Sequence, residues 1–280
     1  MSKFKYLEEK ILNSTFLKDP FRHLEINNFF KPEHLEIILN DDQIHFEESK
    51  NINDLIQKLY DKDYMIQSFP GCCADAMEYI DRLEKNNWPS ENKGNPVSSY
   101  GITFRVSNYR NAFIEEMVQH LNGDSFHNAL REKFGIKEES NIITAIQKNL
   151  SKYEISPHPD VKRKCMTYLL NINKDDSIEN KDVHTHLLKF KKEYEYIYDS
   201  WENNPEFDRA WVPWSWCKTS KVINKNNTIV IFPPSSKTLH AVKLDYDHTK
   251  FQRTQIYGNL MYPNRPKLRS QNYKDLTNEE

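Results

Sequence analysis

The chain has 280 residues, which is long enough for one large domain or two small ones with an ample hydrophobic core. Its 39 basic and 41 acidic residues give a formal net charge of −2, so no overall electrostatic field would recruit nucleic acid or an anionic membrane. With only 6 glycines, a glycine-rich phosphate-binding loop is not expected.

The first half of the chain is predicted to be mainly helical. Helix-forming patterns cover residues 1–18, 30–39, 53–60, 74–87, 112–121 and 125–134. The fourth of these helices should end before Pro89, and Gly135 occupies a position typical of a helix stop. The alternating stretch 99–106 predicts a strand.

The second half is predicted to be rich in strands. Apolar and β-branched runs predict strands over residues 144–150, 153–155, 164–173, 183–188, 227–232 and 253–260. We expect a single domain over residues 1–280, with a helix-rich part over about 1–98 and a β-rich core over about 99–262. The tail over about 264–280 is predicted to be flexible, because it is rich in Lys, Arg, Asn and Glu.

A histidine and an acid flank Pro159, directly before the predicted strand 164–173. Side chains two residues apart on an extended segment point to the same side, so His158 and Asp160 can bind the same metal ion. A second histidine, His240, follows the predicted strand 227–232. Two imidazoles and one carboxylate form the ligand set of non-haem Fe(II) oxygenases, which leaves coordination positions open.

The order of these features resembles that of the iron(II)/2-oxoglutarate-dependent oxygenases, and within them the prolyl-4-hydroxylase-like branch. The metal pair, a strand, a variable stretch, a strand, His240, a polar turn and a strand headed by Arg253 follow one another over roughly residues 100–262. Residues 19–33 resemble the opening strand and helix of many such proteins. The resemblance implies a double-stranded β-helix, a jelly-roll or cupin-like fold that is mainly β with flanking helices (α+β) and helical N-terminal support.

The resemblance also implies a role for each motif residue. His158, Asp160 and His240 would bind Fe(II) and act in catalysis. Arg253 would bind the distal carboxylate of 2-oxoglutarate, because a guanidinium presents a planar fork that matches a carboxylate. The cofactors implied are Fe(II), 2-oxoglutarate and O₂, with ascorbate as a supporting reductant.

Three residues flank His158 where related folds place contacts to the co-substrate or substrate. They are Gln147, Tyr153 and Tyr168, and we expect Gln147 and Tyr168 to contact the cofactor. Ordinary strand packing is the alternative for each of them.

Two departures from the family pattern concern the carboxylate anchor. The gap between His240 and Arg253 is a few residues longer than usual, which makes Lys250 a rival for the same role. Arg253 is preferred because it heads an apolar strand, whereas Lys250 lies in a polar turn. The family often has a serine two residues after the basic residue, where this chain has Gln255.

Other polar residues allow simpler interpretations. His184 and His186 share one strand face and could imitate a cupin metal pair, but Glu193 lies too far along the chain to complete that pattern. We interpret both histidines as facing solvent or lining the mouth of the pocket, with a substrate contact as the alternative. Arg105 lies on the predicted strand 99–106 and can reach the barrel interior, whereas Arg110 and Arg131 are expected at solvated helix ends.

A tryptophan-rich segment interrupts the predicted barrel between about residues 190 and 225. It contains four of the chain's five tryptophans, namely Trp201, Trp211, Trp214 and Trp216. Local core packing is one interpretation of this density. The other is that part of residues 195–220 covers the active site, with Trp211, Trp214 or Trp216 contacting substrate.

The sequence favours a soluble cytoplasmic protein with a small-molecule or peptide substrate. No apolar run approaches the length of a membrane span, and residues 1–6 lack the apolar centre of a signal peptide. The four cysteines, Cys72, Cys73, Cys165 and Cys217, have no metal-site spacing and are read as reduced thiols. No nucleic-acid or membrane partner is expected, and the oligomeric state is left open.

The resemblance favours hydroxylation, because related halogenases replace the carboxylate at position 160 with a small residue; desaturation and ring closure stay open. The substrate classes considered are a small metabolite, an amino acid and a peptidyl proline. A sugar-modifying oxygenase of the same fold and a non-catalytic jelly-roll binding protein are the alternatives.

Overall fold

Two antiparallel sheets form the centre of the computed structural model, which describes residues 2–69, 71–88, 100–209 and 211–276. The strands are β1 Leu24–Ile26, β2 Tyr64–Ile66, β3 Thr103–Val106, β4 Asn141–Asn149, β5 Glu154–His158, β6 Lys164–Asn171, β7 Thr185–Phe190, β8 Phe207–Asp208, β9 Cys217–Ile223, β10 Ile229–Phe232, β11 His240–Lys243, β12 Arg253–Met261 and β13 Arg269–Ser270. The larger sheet has the order β1-β10-β6-β12-β4-β3-β2, and the smaller has the order β5-β11-β7-β9.

The connectivity of these sheets is that of a jelly roll. From β4 to β7, and again from β9 to β12, the chain alternates between the two sheets, with β4, β6, β10 and β12 in the larger one and β5, β7, β9 and β11 in the smaller one. In each sheet, strands from the first half of this segment lie next to strands from its second half. The two halves therefore wind together around a common axis. The predicted double-stranded β-helix is thereby confirmed.

The helices support the larger sheet from its outer side. They are α1 Tyr6–Asn13, α2 Pro32–Leu39, α3 Ile52–Asp61, α4 Ala76–Glu84, α5 Ala112–Leu121 and α6 Asp124–Phe134. A further helix, α7 Tyr196–Asn203, instead packs against the smaller sheet. The side chains of Asn51, Asp75 and Asn111 accept backbone N–H groups and so begin α3, α4 and α5. Gly135 ends α6 in the left-handed region at φ 72°.

The two faces of the larger sheet differ in character. Alternate residues Ile146, Tyr168, Leu170 and Ile256 belong to the same buried cluster as side chains of α1, α3, α5 and α6. The residues between them, on β4 and β12, are mostly polar and face the smaller sheet: Gln147, Asn149, Arg253, Gln255 and Tyr257. The sheet therefore presents an apolar face to the helices and a polar face to the barrel interior.

The segment predicted as an insertion over 190–225 is shorter in the structure. Residues 217–223 form β9, which pairs with β7 as a barrel strand, and residues 196–203 form α7. Strand β9 was missed because Lys218, Thr219 and Ser220 are all exposed, which hides the period-2 pattern. The inserted part is reduced to about residues 191–216.

The tail is packed where the sequence predicted flexibility. Strand β13 pairs in parallel with β8, the ring of Tyr273 lies edge-on against Trp216, and Leu276 is 5% exposed. Tyr273 and Leu276 attach this segment to the rest of the protein, although the composition of the segment resembles that of a disordered tail. Residues 277–280 of the predicted tail, residues 89–98 of the predicted helix-rich part and Ser99 of the predicted strand lie outside the described residues.

No helix in the described part of the chain combines the length and apolar character needed to cross a membrane.

Candidate metal centre

Three potential metal ligands meet at one end of the barrel. His158 ends β5 and pairs directly with His240, the first residue of β11, while Asp160 lies two residues beyond β5. The Nε2 atoms of His158 and His240 lie 3.9 and 3.8 Å from the carboxylate oxygens of Asp160. Their ligand atoms all fall within 4.8 Å of one another, which is close enough for one ion to contact all three. The structure thus brings together the three residues that the sequence predicted as a set.

Both imidazoles are oriented by backbone carbonyls two residues upstream. Nδ1 of His158 lies 2.9 Å from the carbonyl oxygen of Ser156, and Nδ1 of His240 lies 3.0 Å from that of Thr238. A carbonyl only accepts hydrogen bonds, so Nδ1 carries the proton and the lone pair on Nε2 faces Asp160. Burial lowers the pKa of His158 to about 3 and also lowers the pKa of His240, so both rings are neutral at pH 7.

The carboxylate of Asp160 is held on both oxygens. The ammonium group of Lys164 donates to Oδ1 at 2.6 Å, and the hydroxyl of Thr167 donates to Oδ2 at 2.5 Å. Burial by itself would raise the pKa of Asp160, but the ammonium group of Lys164 holds that pKa well below its usual range. Two neutral nitrogens and one ionised oxygen fit a divalent transition metal such as Fe(II).

Arg253 is a buried cation that has no acid beside it. Its side chain is 2% exposed, and no carboxylate among the described residues lies within ion-pair distance. Nη1 donates to Asn149 at 2.8 Å and Nη2 donates to Thr185 at 3.1 Å, while Nε has no hydrogen-bond partner in the described structure. Burial lowers the pKa of Arg253 to about 10, so the guanidinium stays charged at pH 7. An unpaired charge inside a fold is costly and points to an anion supplied from outside.

The guanidinium of Arg253 and the proposed metal ligands lie at different positions along the barrel axis. Its partner Thr185 is two residues from Leu187, which pairs directly with His240. Two residues of an extended strand rise about 6.6 Å. The hydroxyl partner of Arg253 thus lies one inward-facing position along β7 from the residue that pairs with His240.

Lys250 does not compete with Arg253. Its side chain is 65% exposed, and its ammonium group lies 3.7 Å from the carboxylate of Asp247 in the same turn. Of the two basic residues, the structure directs only Arg253 into the barrel.

The two residues predicted as further cofactor contacts lie on opposite faces of the sheet. Gln147 faces the barrel interior, and its Oε1 accepts from Nε of Arg105 at 3.2 Å. Tyr168 faces the helices, where its hydroxyl contacts Thr144 and its ring packs against Phe126. The expectation for Tyr168 therefore needs correction, because β6 directs its neighbour Thr167, and not Tyr168, into the barrel.

The tryptophans of the inserted segment divide between two locations. The ring of Trp211 lies 5.9 Å from the ring of His158. Arg209, two residues earlier, donates to the backbone oxygen of Asp160 at 3.0 Å. Trp216 is 8% exposed and stacks on Tyr194 in a cluster on the outer side of the smaller sheet. Part of the segment therefore reaches the metal end, and part is scaffold.

The histidines of β7 do not join the metal-ligand set. His184 is fully buried, and its Nε2 lies 2.7 Å from the carbonyl oxygen of Ile178. His186 lies edge-on to Trp214, with ring centroids 5.6 Å apart. The interpretation of both histidines as facing solvent or the mouth of the pocket is therefore wrong for His184.

Sequence reasoning missed the residues that hold Asp160. Lys164, Thr167 and Arg209 contact this residue, yet none belongs to the motif pattern. For Thr167 a signal was present, because alternation along β6 puts it on the face opposite the apolar Met166 and Tyr168. No comparable signal existed for Arg209, which comes from a remote segment.

No protein-family model and no curated protein matches the sequence. A prolyl-4-hydroxylase of Pseudomonas putida is similar in structure, with 8% identity, a TM-score of 0.42, and coverage of 92% of this chain and 98% of that chain. An oxidoreductase of the 2OG-Fe(II) oxygenase family from Burkholderia pseudomallei has 13% identity, a TM-score of 0.37, and coverage of 81% and 99%. HygX of Streptomyces hygroscopicus with nickel and 2-oxoglutarate bound has 6% identity, a TM-score of 0.40, and coverage of 91% and 94%.

Proposed function

We propose that this protein is an Fe(II)/2-oxoglutarate-dependent oxygenase that hydroxylates a small metabolite, an amino acid or a peptidyl proline. The observation that carries the proposal is the pairing of a two-histidine, one-carboxylate set with a buried, unpaired guanidinium deeper in the same barrel. Four carbon–carbon bonds of about 1.5 Å place the end carbons of a five-carbon dicarboxylate about 5 Å apart. This length suits a ligand that reaches from the metal ligands towards Arg253.

Each residue has a defined task in this proposal. His158, Asp160 and His240 would hold Fe(II), and Arg253 would bind the distal carboxylate of 2-oxoglutarate through paired hydrogen bonds. Lys164 and Thr167 keep the carboxylate of Asp160 ionised and fixed in orientation. When bound, the metal and co-substrate would supply the oxidation, in which one atom of O₂ enters a C–H bond and the other enters succinate as CO₂ leaves.

The same observations weigh against a non-catalytic binding protein. A jelly roll that only binds has no need for two imidazoles with free Nε2 lone pairs facing an ionised carboxylate. Nor does it need a buried guanidinium without an acid partner in the same barrel. A sugar-modifying oxygenase would use the same site and differs from our proposal only in substrate.

Anaerobic binding provides the direct test. Adding Fe(II) and 2-oxoglutarate to the purified protein should produce the weak visible charge-transfer band of the chelate. His240→Ala should abolish this band and the metal-dependent turnover of 2-oxoglutarate. It should also weaken Fe(II) binding by more than roughly 10- to 100-fold, which is the usual effect of removing a residue that only hydrogen-bonds to a metal ligand. Its circular dichroism should stay native, because the imidazole lines a pocket.

His186→Ala is the matched control, since His186 lies on the neighbouring strand but outside the metal-ligand set. It should keep both the band and the turnover. Wild-type turnover in His240→Ala, or absence of the band in the unaltered protein, would contradict the proposed function.

A further inference from the structure

A second guanidinium on the inner wall of the barrel lacks an acid partner. Arg105, on β3, donates from Nε to Gln147 at 3.2 Å and from Nη1 to Gln67 at 3.4 Å. Among the described residues, no carboxylate lies within ion-pair distance of it and Nη2 donates to no side chain or backbone oxygen. Burial lowers the pKa of Arg105, and no carboxylate is among the groups that offset this effect.

Arg105 occupies a different layer from Arg253. In the larger sheet, Arg105 pairs with Gln147 and Gln147 pairs with Gln255, whereas Arg253 pairs with Asn149 one side-chain layer deeper. A five-carbon dicarboxylate held by Arg253 therefore leaves Arg105 available. The two guanidinium groups are suited to two different anions.

The surroundings of Arg105 are open and partly apolar. Met65 pairs directly with Arg105 across β2 and β3, so both side chains share a face, and Met65 is 56% exposed. An exposed apolar side chain beside a cation that lacks an acid partner forms a wall suited to an amphipathic ligand.

Tyr257 connects this wall to the metal end. The guanidinium of Arg105 lies 5.2 Å from the centroid of the Tyr257 ring. The Tyr257 hydroxyl lies 3.0 Å from Nζ of Lys164, which in turn contacts Asp160. The side chains of Tyr257 and Lys164 therefore lie between Arg105 and the proposed metal ligand Asp160. A small molecule can span this gap.

Packing alone accounts for only part of the arrangement around Arg105. The rings of Phe69 and Tyr257 lie 5.3 and 5.2 Å from its guanidinium and stabilise the charge by cation–π contacts. These contacts use no N–H group of the guanidinium as a hydrogen-bond donor. The in-plane Nη2 edge stays available to a planar anion.

We propose that Arg105 binds the carboxylate of a small substrate whose apolar part extends over Tyr257 towards the metal ligands. This inference rests on the proposed function and narrows its substrate class to carboxylic acids with an apolar body.

Matched acid and amide probes test the inference. L-leucine, L-proline, L-phenylalanine and hexanoate are each compared with their carboxamide, and succinate formation is measured with Fe(II) and 2-oxoglutarate present. At least one acid should raise succinate formation above the rate with 2-oxoglutarate alone, and its carboxamide should not. Arg105→Gln should raise the KM for that acid about 10- to 100-fold, the effect expected from losing a charge-assisted hydrogen bond.

The 2-oxoglutarate affinity of Arg105→Gln should be unchanged, and Arg105→Lys should recover part of the acid response. Arg110→Gln is the matched control, because Arg110 is an exposed arginine paired with Asp63. The inference is overturned if no acid stimulates, if acid and carboxamide act equally, or if Arg105→Gln weakens 2-oxoglutarate binding instead. Failure of the unaltered protein to bind 2-oxoglutarate would instead reject the proposed function.

Discussion

Each proposed metal ligand is held in place before any ion arrives. The two imidazoles donate to carbonyl oxygens two residues upstream, and the carboxylate receives one ammonium and one hydroxyl donor. Such outer partners fix the tautomer and the orientation of a ligand, so less order has to be created when the ion binds. His184, which directly precedes β7, differs, since it hydrogen-bonds through Nε2 instead.

The anchor for 2-oxoglutarate can be tested at a single residue. Arg253→Met removes the charge while keeping most of the volume, so it should weaken 2-oxoglutarate binding by about 1.5–3 kcal/mol, the usual contribution of a charge-assisted hydrogen bond. Titration followed by the visible band of the chelate measures this loss. Stability without ligand should hardly fall, because a buried charge that lacks an acid partner is itself unfavourable.

Lys250→Met serves as the control for Arg253→Met, and its 2-oxoglutarate affinity should be unchanged. If Lys250→Met loses affinity and Arg253→Met does not, the carboxylate anchor has been assigned to the wrong residue.

The segment over residues 209–216 joins the metal end to the outer side of the smaller sheet. The backbone N–H of Val212 donates to the carbonyl oxygen of Pro157 at 2.9 Å, next to His158. The indole N–H of Trp214 donates to the buried carboxylate of Glu154, on the same strand, at 2.8 Å. The segment is thus attached to β5 at two points, which places Trp211 beside His158 and favours a positioning role over free opening.

Removing one of these attachments should loosen the segment. Trp214→Phe takes a donor away from the fully buried Glu154, whose pKa burial already raises. We expect a loss of about 1–3 kcal/mol in unfolding free energy, the cost of leaving a buried polar group short of a partner. Denaturant unfolding measures this loss, and amide exchange over residues 209–216 should become faster.

Trp211→Phe is the matched control for Trp214→Phe, because the indole N–H of Trp211 is buried without a partner in the described structure. The same change at this position removes no hydrogen bond and should cost less. Equal losses in the two variants would show that ring volume, and not the bond to Glu154, fixes the segment.

At the scale of the whole molecule, two apolar layers enclose the barrel. The helices cover the outer face of the larger sheet, and the inserted segment with the tail covers the outer face of the smaller one. The second layer includes Trp201, Val212, Trp216 and, from the tail, Leu276. The tail therefore contributes to stability although it lies far from the metal ligands in sequence.

Deleting residues 264–280 should destabilise the protein. The deletion exposes Trp216 and removes the buried Leu276, so we expect a loss of about 3 kcal/mol, on the scale of burying one or two large apolar side chains. Thermal unfolding should show a lower Tm, and tryptophan fluorescence should shift to longer wavelength. Deleting only residues 277–280 is the control and should leave both unchanged; an unchanged Tm in the longer deletion would support the original expectation of a flexible tail.

The sequence by itself predicted the set of candidate metal ligands and the barrel strands other than β9 and β11. His158 and Asp160 share a side because strand geometry has period two, and the short apolar runs that flank them marked β6, β10 and β12. These features are local, so a window of a few residues contains the information that specifies them.

Tertiary structure alone decided which polar side chains surround those ligands. Tyr168 and Thr167 are neighbours in sequence, yet they lie on opposite sides of the sheet, and only pairing with β12 fixes which side is the barrel interior. Arg209 reaches Asp160 from 49 residues away, and Arg105 reaches Gln147 from 42 residues away. Contacts between distant segments depend on how the two sheets and their covering layers pack, and no local pattern encodes that packing.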